Sequence, residues 1–118
     1  MNTAFEHPEA FQKVISHCGS FAKLQNGHLL PFAVRECNAS EKPIRVFLQS
    51  GTGDAKIKFG DWFLQNQVMQ NALEFAGIEH TFEWGVGRHD IWHGTSVMPE
   101  TLKWLWRDWR DEDPNAAS

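Results

Sequence analysis

The chain has 118 residues, 42% hydrophobic and 22% charged, proportions close to those of ordinary soluble folded domains, which excludes long disorder and fibrous repeats. Its formal charge of -4 comes from 15 acidic and 11 basic residues scattered along the chain, and with no basic run to track a phosphate backbone, nucleic acid is not an expected partner. No apolar run approaches the roughly 20 residues that span a bilayer, and the first residues, Met1-Asn2-Thr3-Ala4-Phe5-Glu6, lack a basic start and apolar core, so no membrane partner is expected and a cytoplasmic location is the default.

In chain order, His7-Pro8 ends any helix entering from Met1 near Glu6, because the residue before a proline is forced out of the helical region. Lys13-Val14-Ile15-Ser16-His17-Cys18 is a short β-branched run closed by Gly19-Ser20, which predicts a first strand. Residues 21–43 form an irregular connection with a helical turn at Phe32-Ala33-Val34-Arg35-Glu36. A near-continuous apolar run, Ile44-Arg45-Val46-Phe47-Leu48-Gln49, meets the Gly-rich loop Ser50-Gly51-Thr52-Gly53-Asp54, the pattern of a buried parallel strand. Asp61 is a natural N-cap for a helix to Ala76 that buries Leu64, Val68, Ala72 and Phe75, with Gly77 as its stop. A third strand, Glu79-His80-Thr81-Phe82-Glu83-Trp84, opens into a second Gly-rich loop, Gly85-Val86-Gly87. Pro99 then starts a helix to Trp109 with Leu102, Leu105, Trp106 and Trp109 on one face, and residues 111–118 are expected to be a flexible tail. Cys18 and Cys37 make neither a disulfide framework nor a metal motif of the usual spacing, and both are expected to be reduced.

This order predicts an α/β fold of about three parallel strands with flanking helices, joined by right-handed crossovers, with its chemistry in the loops that leave the strands' C-terminal ends. Three strands leave a long open edge, so residues 1–110 read as part of a domain, and self-association through that edge is an expectation.

Those loops hold Asp54 and His89. A hydrolase triad needs a base that takes the nucleophile's proton and a carboxylate that fixes the base's tautomer, and the order acid, then histidine, suits the α/β-hydrolase arrangement. Alone, Asp54 is as well read as a turn carboxylate and His89 as a surface histidine; their placement after adjacent strands favours the functional reading. His93, in the same loop, is the rival base. No G-x-S-x-G elbow occurs in the 118 residues, and neither Ser20 nor Ser50 has the flanking glycines of one. His89-Asp90-Ile91-Trp92-His93 also echoes the H-E-x-x-H zinc motif, but that motif needs a helix, and Gly85, Gly87 and Gly94 argue against one. Triad chemistry calls for no cofactor or metal. Trp62, Phe63 and Trp92 are candidates to line a substrate pocket.

At Pro43-Ile44-Arg45-Val46-Phe47-Leu48-Gln49-Ser50-Gly51, followed by Asp54, the sequence resembles the acid-bearing strand and loop of enterochelin-esterase-like proteins. Trp84-Gly85-x-Gly87-x-His89, His93-Gly94 and Pro99-x-x-Leu102-x-Trp104-Leu105-Trp106-Arg107 resemble that family's histidine loop and final helix, and His7-Pro8-Glu9-Ala10-Phe11 and Gly19-Ser20-Phe21 agree. The resemblance covers about residues 4–109. It implies the C-terminal part of an α/β-hydrolase, a carboxylic ester hydrolase of a small-molecule ester, with Asp54 as triad acid, His89 as base and the serine upstream of the chain. Two departures stand out: Arg88 where glycine is usual and Ser50 where an acidic residue is common. On this reading the isolated chain has little or no turnover, and the alternative is a truncated or relic domain retained for protein contacts.

Overall fold

A computed structural model of the chain describes residues 1–112. Helix α1 (Asn2–Glu6) ends at His7, where Pro8 forbids another turn. Strand β1 (Lys13–His17) is followed by a 3-10 turn and α2 (Leu30–Glu36), then by β2 (Arg45–Gly53). A two-residue antiparallel pair, β3 (Lys56–Ile57) and β4 (Gly60–Asp61), leads into α3 (Trp62–Ala76) and β5 (Glu79–Arg88). Helices α4 (Trp92–Ser96), α5 (Met98–Leu105) and α6 (Trp109–Glu112) complete the described residues. Of the expected tail, residues 113–118 lie outside them.

β1, β2 and β5 form one parallel sheet in that order, with Val14 opposite Val46 and Val46 opposite His80. The fold class is therefore α/β with three parallel strands and flanking helices. β2 is central, and Val46 to Ser50 are all buried, which is why its sequence runs apolar without alternating. Val46 and Leu48 join Val14, Phe21, Val34, Met69, Leu73 and Ile78 in the core.

Both ends of α3 fall where the sequence places them. The Asp61 carboxylate accepts from the Leu64 N–H at 3.2 Å, and Gly77 closes the helix at φ 74°. Its buried face is a correction. Leu64, Val68 and Phe75 are exposed, and only Ala72 of the expected stripe is buried. Buried instead are Trp62, Asn66, Met69, Ala72 and Leu73. The helix carries two apolar stripes, and the chosen one includes a polar residue that looks misplaced. Asn66 is tolerated because its amide donates to the Trp62 and Gly19 carbonyls, both at 2.9 Å.

The last helix also differs from expectation. It breaks after Leu105, and Leu102, Trp106 and Trp109 are all more than 40% exposed, while Thr101 and Leu105 are buried. Arg45, at the start of β2, explains the break. Its guanidinium donates to the Leu105 carbonyl at 2.6 Å and bidentately to the Asp108 carboxylate at 3.0 and 2.8 Å, which draws the chain into a turn.

Finally, β2 and β5 run through the glycines read as loops, with Gly51 opposite Gly85 and the register shifting before Gly53 meets Arg88. Backbones approach there too closely for side chains. A Cβ on Gly51 would lie 2.3 Å from the Gly87 carbonyl oxygen.

Candidate functional site

The C-terminal ends of β2 and β5 carry Asp54 and His89 to the same place. A turn bond from the Asp54 N–H to the Gly51 carbonyl, 3.0 Å, folds the chain as it leaves β2 and turns the carboxylate inward. Asp54 is buried, with an exposure of 3%. One oxygen, Oδ2, accepts from the Ser50 hydroxyl at 2.6 Å; the other, Oδ1, accepts from the Ala55 N–H at 2.7 Å and faces His89 Nδ1 at 2.8 Å. Burial alone pushes this carboxyl up, but the bonds from Ser50, Ala55 and His89 outweigh it and hold the group below its ordinary value. The group is therefore a carboxylate at neutral pH. A carboxylate only accepts, so the contact places a proton on His89 Nδ1 and, in the neutral ring, leaves the lone pair on Nε2. His89 itself is half-exposed, and the Trp62 ring meets it nearly perpendicular at a centroid distance of 6.1 Å.

His93 stands apart from this pair. It lies on α4, where its ring fits against Gly85 and Gly87. Its Nδ1 is 3.1 Å from the Gln49 side-chain amide and its Nε2 is 4.0 Å from a Glu83 oxygen. No helix presents His89 and His93 together, because His89 precedes α4 in the loop after β5. Of the aromatic residues expected around a pocket, Trp62 is buried beside His89, Phe63 packs on Trp84 and Trp92 is exposed.

Sequence reasoning missed three contributors. Ser50 holds the acid, and Gln49 holds His93; both are fully buried on a strand that reads as apolar. Cys18, one residue past β1, sits at φ 49° and points its sulfur toward the same strand ends. Burial and the neighbouring Asp54 charge push its thiol up to about 11. Nothing in the spacing of these residues marks them, since they meet only across strands.

A cavity of about 610 Å³ is lined by residues that include Met1, Glu6, Ser16, Gly19, Phe21 and Leu30, and by neither Asp54 nor His89.

No protein-family model and no curated protein matches the chain. Among solved structures it is similar to a ferulic acid esterase, with a TM-score of 0.67 over 90% of this chain at 20% sequence identity. The fold is esterase-like. The chain spans 45% of the length of that esterase.

Proposed function

We propose that the chain is the acid-and-histidine portion of a serine carboxylic ester hydrolase of the enterochelin-esterase-like kind, with residues 1–110 as the partial domain. The observation that carries the reading is the 2.8 Å contact of His89 Nδ1 with a buried, triply hydrogen-bonded Asp54 at the ends of adjacent parallel strands. In this mechanism His89 Nε2 takes the proton of a serine supplied by another segment and later returns it to the leaving alcohol, while Asp54 fixes the tautomer and stabilises the imidazolium. Ser50 and Ala55 keep Asp54 ionised for that role. The half-exposed ring of His89 beside the buried Asp54 leaves room for a further segment that carries the nucleophile and the oxyanion hole. The ferulic acid esterase likeness favours an ester of a small carboxylic acid as substrate.

The test begins with the coding sequence upstream of the Met1 codon, where a G-x-S-x-G motif in frame is expected. The polypeptide that includes it hydrolyses p-nitrophenyl esters, and the 118-residue chain alone stays at the buffer rate. His89→Ala abolishes turnover, Asp54→Asn lowers kcat on the order of 10⁴-fold, and His93→Ala stays within about tenfold. Full activity in His89→Ala, or its loss only in His93→Ala, would overturn the assignment. A stop codon or unrelated sequence upstream favours the non-catalytic relic.

A further inference from the structure

The Cys18 side chain ends among oxygen atoms. Its sulfur lies 3.7 Å from Gln49 Oε1, 3.5 Å from the Arg88 carbonyl and 3.8 Å from the Asp90 carbonyl, more acceptors than one S–H can serve. The left-handed backbone at Cys18, uncommon for a residue with a side chain, holds it there. The sulfur, an Asp54 carboxylate oxygen and a His89 ring nitrogen all lie within 4.8 Å of one another. Thiol, carboxylate and imidazole thus converge from the ends of three adjacent parallel strands.

We propose that Cys18, Asp54 and His89 form a site for a divalent cation of the Zn²⁺ class, and that its occupancy takes His89 out of proton transfer. Sulfur, nitrogen and oxygen donors together suit a borderline-soft ion and exclude Mg²⁺ and Ca²⁺, which take oxygen alone. Tetrahedral bonding at about 2.0–2.3 Å needs donors about 3.3–3.5 Å apart, so the widest separations close by up to about 1.5 Å, while the 2.8 Å His89–Asp54 contact opens. His89, half-exposed, supplies that movement by turning its ring. Ser50 and Ala55 already fix the carboxylate, as outer partners of metal ligands do. The surrounding oxygens and the Asp54 charge, which oppose a bare thiolate, become favourable to one bound to a dication. Binding therefore converts the thiol to a thiolate and releases one proton to solvent, with the fourth position left to water.

The binding claim concerns these residues alone; the claim that it switches off chemistry rests on the catalytic reading above. The probe is Co²⁺ added to the 118-residue chain, with Zn²⁺ as competitor. Expected are one ion per chain, one proton released, and a thiolate-to-cobalt band in the near ultraviolet that Zn²⁺ removes. The band persists in Cys37→Ser and disappears in Cys18→Ser. His89→Gln, at a half-exposed position that leaves the fold intact, weakens binding by 10-fold or more. Absence of the band in the parent chain, or its loss in Cys37→Ser with retention in Cys18→Ser, refutes the site. In the longer polypeptide, Zn²⁺ lowers esterase turnover and a chelator restores it. Turnover indifferent to bound Zn²⁺ refutes the switch. Metal binding without any esterase activity refutes only the catalytic reading.

Discussion

Gly51→Ala tests whether the close approach of β2 and β5 builds the site. The added Cβ would stand 2.3 Å from the Gly87 oxygen, 2.5 Å from its nitrogen and 2.9 Å from its carbonyl carbon, all of them backbone. A carbon rests no nearer than about 3.3 Å from a carbonyl oxygen, so the strands must separate by about 1 Å. Hydrogen bonds near 2.9 Å would then stretch past any useful length, and two ladder bonds lost in a buried region cost about 2–4 kcal/mol together. The same splaying pulls His89 off Asp54, whose 2.8 Å contact joins the ends of these strands. Gly77→Ala is the control: nothing lies within 4 Å of its Cβ, so it pays only for the left-handed backbone, about 1–2 kcal/mol. Urea denaturation followed by tryptophan fluorescence measures stability, and the low-field His89 Nδ1 proton in NMR spectra reports the contact. A Gly51→Ala chain within 0.5 kcal/mol of the parent, or one that keeps the His89 resonance unchanged, would refute the reasoning.

Leu73→Ala, in the core, is expected to lose about 2–5 kcal/mol and Leu64→Ala, on the exposed stripe of α3, less than about 0.5, both read from denaturant midpoints. Asp54→Ala orphans the buried Ser50 hydroxyl and costs about 1–3 kcal/mol, and Ser50→Ala made in the same chain recovers part of it in a double-mutant cycle. Hydrogen bonds from Arg45 hold the Asp108 carboxyl at about 2, and Asp54 and Glu79 are also held low; groups lowered by folding stabilise above their unfolded values and lose this as pH falls, so melting temperature drops between about pH 4 and 2. Burial, and then His93, lower the ring of His17, so a smaller loss begins as pH falls below about 6.5; a Tm flat from pH 7 to 5 would contradict it.

The sequence alone determined the main strands and the ends of α1 and α3, because local chemistry sets them. Asp61 caps α3 through its own carboxylate, Gly77 stops it through a backbone angle other residues resist, and Pro8 halts α1. The apolar run of β2 made it a buried strand, and the order of strands and helix made the sheet parallel. Asp54 and His89 were legible as candidates because topology places residues after parallel strands at one end of the sheet. Choosing between His89 and His93 as the partner of Asp54 needed distances, for the two rings are four residues apart and differ in what surrounds them. Tertiary structure alone decided the buried face of α3, since two stripes were apolar and only packing, with the Asn66 amide donating to Gly19, selects one. It also decided the break after Leu105, made by an arginine 60 residues earlier. The meeting of Cys18 with Asp54 and His89 is of the same kind: contacts across strands carry no period along the chain, and no local rule records them.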